Sequence, residues 1–347
     1  MTRTIREDME ANEEQILSPY ACLSKKSQGR ERPESECDIR VAFQRDRDRI
    51  IHCKAFRRLK HKTQVFLAPT GDHYRTRLTH VFEVSQIART IAVALKLNGH
   101  LTEAIALGHD LGHTPFGHAG ESVLNDLHPG GFRHHEQSLR IVDIIEKNGK
   151  GLNLTHEVRD GISMHSKGRK EILPEDESKL PATMEGKVVR VADIIAYVNH
   201  DLDDALRAGI IEQRKLSAYV FHKLGETNSE RIGTMVKDII YSTLGNGGSK
   251  LIMSSDIMTA ISDLRSFLYE NVYETNKVHE DFIKAMKVVK ELYGYFLENG
   301  LPMDQEAKDY KSNGDPRAVC DFVAGMTDRY ALGLYQKLFL PKPWSVM

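Results

Sequence analysis

The stretch "RLTHVFEVSQIARTIAVALKL", Arg77 to Leu97, decides the fold. Leu78, Val81, Phe82, Ser85, Ala88, Ile91, Ala92 and Leu95 recur at spacings of three and four, one continuous stripe along a helix. Thr76 or Thr79 is placed to cap its start. The same periodicity extends outward from it. "HLTEAIALGHDLGH" (His100–His113) reads as a second helix with Thr102 as N-cap and a soft end near Gly112. "HHEQSLRIVDIIEKN" (His134–Asn148) reads as a third, closed by Gly149. "LTHEVRDGISMHS" is a weaker fourth, and "KVVRVADIIAYVNHDLDDALRAG" is a long helix that stops at Gly209. Further helices are expected over 230–243, 255–274, 279–298 and 318–338.

Strand signals are few. "TQVFLAP" (Thr63–Pro69) is the best of them, half of a small hairpin at most. The polar stretch "SKGRKEILPEDESKLP" and the loop "GNGGSK" read as surface connections. The expected fold class is therefore all-α, a helical bundle with a helical C-terminal extension. Its expected organisation is an N-terminal arm over residues 1–35, partly flexible, a core over 36–215 and a helical region over 216–347 packed on that core.

With 347 residues, 40% of them apolar, the chain has enough to bury a large core, which argues against global disorder. Its 48 basic and 49 acidic residues leave a formal net charge of −1, so no global field draws it to nucleic acid or membrane. No apolar run approaches a membrane span, and the charged N-terminus lacks the core of a signal peptide. Four cysteines without CxxC spacing read as reduced thiols of a cytoplasmic protein.

The chemistry concentrates in "GHDLGHTPFGHAGE", Gly108 to Glu121. His109 and Asp110 alone do not close a metal site, because ions held by imidazole and carboxylate want four or more ligands. Two further candidates lie on helices: His80, one turn into the opening stretch, and Asp193, inside the apolar "VVRVADIIAYV". A buried carboxylate there needs a partner. A cation is one remedy, and Arg190, one turn away, is another.

These residues resemble the signature of the HD-domain metal-dependent phosphohydrolases, H…HD…D, here His80, His109–Asp110 and Asp193. The surrounding wording is more specific. "RLTHVFEVSQIAR", "GHDLGHTPFGHAGE", "FRHHEQSLR" and "VADIIAYVNHDLDDA" follow one another in the order of the deoxyguanosine triphosphate triphosphohydrolase-like (dGTPase-like) branch. The likeness runs upstream through "FQRDRDRIIHCKAFRRLKHKTQVF" and downstream to "VCDFVAGMTDRYAL". The resemblance makes residues 36–215 an HD catalytic core. It implies hydrolysis of a deoxynucleoside triphosphate at the α-phosphorus, with release of deoxynucleoside and inorganic triphosphate. It also implies a divalent metal at His80, His109, Asp110 and Asp193; two histidines and two aspartates suit Mn²⁺, Fe²⁺, Co²⁺, Ni²⁺ or Zn²⁺, and Mg²⁺ suits the substrate phosphates.

By the same resemblance, His118 with Glu121 and His135 with Glu136 are catalytic, with His134 as the competing assignment to His135. An imidazole beside a carboxylate is the arrangement general acid–base chemistry needs. Substrate contacts fall to Gln64 at the sugar, to Arg77 and His113 at the phosphates, and to Tyr197 and Asp201, which share a stripe with Asp193 at i, i+4 and i+8. The basic run "KAFRRLKHK" (Lys54–Lys62) reads as a solvated face, or as a surface for triphosphate, single-stranded nucleic acid or a neighbouring subunit. Asp328, Arg329 and Tyr330 of "GMTDRYAL" are structural or functional with equal weight. Relatives bind nucleotides allosterically and form homo-oligomers, so both are expected partners. Two other functions compete: a nucleotidase acting on another nucleotide, and a nucleotide sensor or single-stranded nucleic-acid binder that keeps the HD pocket. A zinc-peptidase reading of "HDLGH" fails, because HExxH needs an uninterrupted helix and a glutamate base.

Overall fold

The computed structural model describes residues 3–64, 75–166, 171–212, 215–273, 276–302, 310 and 315–341. Among these the chain is all-α: no strand forms, and the only β pairing is two isolated bridges, Arg30 with Thr155 and Thr63 with Thr76. The "TQVFLAP" strand lies, beyond Gln64, outside the described residues. Among the described residues no helix is long and apolar enough to cross a membrane.

The opening stretch forms the helix Arg77–Ala94, entered through Thr76, whose N–H is bonded by the Thr79 hydroxyl oxygen at 3.0 Å. Val81, Val84, Ile87, Ala88, Ile91 and Ala92 are buried along one face. Phe82 departs from the expected stripe. It is 52% exposed and rests edge-on against Phe56. The Arg77–Ala94 helix packs on the helices Gly99–Gly108 and Met184–Arg207. Asn98, not Thr102, caps the former, its side chain accepting the N–H groups of His100 and Leu101. That helix also ends at Gly108, ahead of the expected Gly112, so His109 to Gly112 form a turn.

Three other expectations change. The third helix is His134–Arg140 continued by a π-helical turn, Ile141–Ile145. The helix expected over 255–274 is Ser255–Leu268 followed by a second π-helical turn, Tyr269–Tyr273. The last helix is two, Pro316–Gly325 and Asp328–Phe339, broken where Thr327 caps the second by accepting the Tyr330 N–H. Ahead of the core, the chain that follows the Ile5–Ile16 helix is docked by buried acids. Glu185 accepts the N–H groups of Cys22 and Asn98, and Glu157 accepts the Ser27 hydroxyl.

The apolar interior divides into two clusters. The larger runs from Phe43 to Val272 and includes the long helix Met184–Arg207. The smaller joins Phe116, Ala119, Val123 and Leu124 to the helices Asn276–Asn299 and Pro316–Gly325. Leu111 belongs to the first and Phe116 to the second, so the chain between them bridges the two cores.

Candidate metal centre and phosphate pocket

Three elements bring the motif residues together. His80 comes from the first turn of Arg77–Ala94, His109 and Asp110 from the turn after Gly108, and Asp193 from the middle of Met184–Arg207. His80 Nε2 lies 3.3 Å from Asp193 Oδ1 and 3.7 Å from Asp110 Oδ2. His109 Nε2 lies 3.4 Å from Asp110 Oδ1 and 3.9 Å from Asp193 Oδ1. His80, His109 and Asp110 are buried, and Asp193 is half-buried, with 16% side-chain exposure.

The donor chemistry fits a divalent cation. His109 Nδ1 faces the Ala106 carbonyl at 2.7 Å; a carbonyl only accepts, so Nδ1 carries the proton and Nε2 presents a lone pair. That Nε2 is buried with no hydrogen-bond partner, an arrangement disfavoured in a protein interior unless something else occupies the lone pair. Asp110 accepts from Arg77 Nη1 at 2.9 Å. Burial opposes ionisation of Asp110, yet His113, His109 and Arg77 outweigh it and hold its pKa well below the usual carboxylate range. Arg190, the other remedy that the spacing allowed, does interact electrostatically with Asp193. Its guanidinium donates to the carbonyls of Met164 and Ile172.

Against this cluster stands a second set of imidazoles. His113 Nε2 is 3.2 Å from Asp110 Oδ1, and its ring stacks on His134 with centroids 4.0 Å apart. Asp110, His113 and His134 form a second group with ligand atoms within 4.8 Å of one another. Glu121 accepts from both the N–H and the Nδ1 of His134 at 2.9 Å and lies 3.6 Å from His118 Nδ1. Burial would raise the Glu121 pKa, but the nearby His118 imidazole and the hydrogen bonds with His134 hold it well below the usual range. His118 itself is 72% exposed at the pocket mouth.

The pocket that both clusters line, about 160 Å³, is lined further by Gln64, Arg77, Tyr197, Asp201, Tyr269, Tyr273 and Phe282. The Gln64 amide oxygen is buried in it with no hydrogen-bond partner. Of the 134/135 pair, the structure sets His134 in the pocket lining. His134 begins its helix and lines the pocket; His135, one residue on, does not, and Glu136 is exposed. Burial beside His134 lowers the His135 pKa to about 4. The physical reason lies at the helix start: the first N–H groups of a helix lack intrahelical acceptors, and Glu121 takes that of His134. Gly112 makes the approach possible, since a Cβ there would sit 2.3 Å from the His134 carbonyl oxygen and 2.2 Å from the Ser138 nitrogen.

Comparison with known proteins agrees with this geometry. The HD domain family model matches residues 77–198, and that of the phosphohydrolase-associated domain matches 251–337. A deoxyguanosinetriphosphate triphosphohydrolase-like protein of Desulfatibacillum aliphaticivorans is 53% identical over 98% of this chain and 99% of its own length. The chain belongs to this family. Another dGTPase-like protein, from Caldanaerobacter subterraneus, is 55% identical over 98% of this chain and 97% of its own. Among solved structures, a phosphohydrolase from Bacteroides thetaiotaomicron shares the fold with a TM-score of 0.52 at 16% identity, covering 84% of this chain and 68% of that one. The dGTPase-like family is thus one of HD-domain phosphohydrolases, and the HD match spans all four candidate ligands.

Two buried histidines of this dGTPase-like chain were not singled out from the sequence. His165 packs its ring 4.9 Å from that of His109, and its Nδ1 is 2.7 Å from the Ile162 carbonyl. His200 stands behind His80, its Nε2 2.8 Å from His80 Nδ1. Asp201 Oδ1 approaches His200 Nδ1 to 2.6 Å, off hydrogen-bond alignment, and the other Asp201 oxygen accepts from the Tyr273 hydroxyl. With His80 Nδ1 as the donor to His200, the Nε2 lone pair is aimed at Asp110 and Asp193. Asp201 therefore borders the pocket while also lying against His200. His200 lies seven residues after Asp193, two helical turns on the same face, which is the signal that marks it. Replacing His200 with phenylalanine is expected to weaken Mn²⁺ binding about 10- to 100-fold by equilibrium dialysis. Wild-type affinity in that variant would show that His80 orients itself without help.

Proposed function

We propose that this chain hydrolyses deoxynucleoside triphosphates at the α-phosphorus, releasing deoxynucleoside and inorganic triphosphate. The observation that carries the reading is the pairing of two adjoining clusters in one pocket. His80, His109, Asp110 and Asp193 converge, and His113, His134 and the His118–Glu121 pair stand beside them. The four converging residues would hold a divalent cation, which supplies Lewis-acid polarisation of a phosphoryl oxygen and activates water.

The rest is the work of the chain's own side chains. Arg77 and His113, both beside Asp110, present donors to the non-bridging oxygens of a phosphoryl group. Glu121 stands 3.6 Å from His118 Nδ1, leaving Nε2 for the proton that the leaving 5′-oxygen needs. His134, held by the same carboxylate, stacks on His113 and keeps that ring in place. Gln64, Tyr197 and Asp201 line the side where sugar and remaining phosphates would lie, and the tyrosines and Phe282 offer aromatic faces to a base. The names of the relatives support a nucleoside triphosphate as substrate.

Metal analysis followed by incubation with each of the four dNTPs tests the reading, with nucleoside and triphosphate separated by chromatography. Equimolar nucleoside and triphosphate are expected. Orthophosphate or pyrophosphate instead would move the attack to another phosphorus, and no turnover with any dNTP would reject the substrate class.

A further inference from the structure

The last described helix begins with Asp328, whose carboxylate is not used where it stands. Thr327 already caps that helix. Asp328 is 5% exposed, and its two oxygens reach two distant segments. Oδ1 accepts the Phe116 N–H at 2.9 Å. Oδ2 accepts the Thr63 N–H at 2.9 Å and the Thr63 hydroxyl. Lys62, 2% exposed, runs in the reverse sense: its ammonium donates to the His113 carbonyl and, at 2.9 Å, to that of Ala324. Segments 62–63, 113–116 and 324–328 are thus each tied to the other two by buried charge.

The segments so tied carry the substrate-facing groups. Thr63 precedes Gln64, and the Lys62 carbonyl accepts the Arg77 N–H at 3.0 Å. His113 and His118 flank Phe116. Phe116 has φ of 60° and Gly117 φ of 56°, so the turn into His118 holds an aromatic residue in a left-handed conformation. Such a conformation persists only where the surroundings over-determine it. The Asp328 bond to the Phe116 N–H is one such restraint, and the Thr114 hydroxyl donating to the Gly117 carbonyl at 2.7 Å is another. Residues 315–341 line none of the pocket, yet they hold two of its edges.

We propose that Lys62 and Asp328 are positioning residues, a cross-brace through which the C-terminal helices fix the Thr114–His118 turn and the Thr63–Gln64 segment relative to each other. The effect on turnover rests on the phosphohydrolase reading above; the brace itself does not.

Asp328→Asn tests it without changing volume, because an amide cannot accept on both sides and must turn a donor toward Phe116 or Thr63. We expect kcat to fall about 10²-fold, since small misplacements of catalytic groups have that cost. Metal content should stay at the wild-type level, and amide exchange should quicken in peptides covering 62–64 and 113–118 alone. Thr63→Val should shift the same peptides with a smaller loss of turnover, Thr63→Ser should restore both, and the two losses should not add in the double variant. Wild-type turnover and exchange in Asp328→Asn would overturn the brace, as would quickened exchange spread over the whole chain. Should Asp328→Asn fail to fold, Thr63→Val decides, and wild-type exchange over 113–118 in that variant rejects the proposal. Exchange needs no substrate, so a chain inactive on every dNTP fails the functional reading without touching this test.

Discussion

The His109→Ala variant is expected to remain folded and to lose metal-dependent hydrolysis, by at least about 10³-fold in turnover, the equivalent of several kcal/mol of lost charge stabilisation. The argument rests on what this imidazole does in the protein. Its Nδ1 makes one bond, to the Ala106 carbonyl, and its Nε2 makes none. Removing it deletes a ligand without stranding a charged partner. Asp110 is the contrasting case. Its carboxylate is the acceptor for the buried Arg77 guanidinium, so Asp110→Ala should lose activity and also about 3–5 kcal/mol of stability. Measuring thermal unfolding, bound metal and turnover on both variants separates the two contributions. A metal-free His109→Ala protein that still turned over at the wild-type rate would reject the site.

Why some of this was readable from sequence and some was not follows from distance along the chain. Asp193 could be found because a carboxylate inside an apolar helical segment needs a partner, whereas His80 stood out only by its place one turn into its helix and by the family resemblance. His109 and Asp110 were readable as a pair, but not the early end of their helix at Gly108, which the close contact of Gly112 with the chain at His134 and Ser138 accompanies. The choice between His134 and His135 was open for a related reason. A 3.6-residue period says that adjacent residues diverge, not which one a helix start will present, and that is settled by Glu121 binding the His134 N–H. Asp328 lies further still from inference. Its partners are 212 and 265 residues away, and nothing local distinguishes it from an ordinary acidic residue in a first helical turn. The π-helical turn at Tyr269–Tyr273 belongs to the same class, since its residues read as plain helix and only packing sets them into the pocket wall.

His118→Ala is expected to lower kcat by about 10²- to 10⁴-fold while KM changes little, the signature of a group that acts on a proton in the transition state. Its exposure argues for this rather than against it. A histidine 72% exposed at the pocket mouth adds little to stability, so a large loss of turnover cannot be blamed on unfolding. Glu121→Gln extends the test. The glutamate serves His118 and His134 together, and its low pKa keeps it an acceptor throughout the working pH range. An amide in its place can no longer accept through both terminal atoms, so one of the two imidazoles loses its orientation. The Glu121→Gln loss should therefore match or exceed that of His118→Ala, and the two should be far from additive in the double variant. His134→Ala should cost more than His135→Ala, because only His134 stacks on His113 and meets Glu121. Equal losses at 134 and 135, or a His118→Ala effect confined to KM, would move the proton-transfer role elsewhere in the pocket.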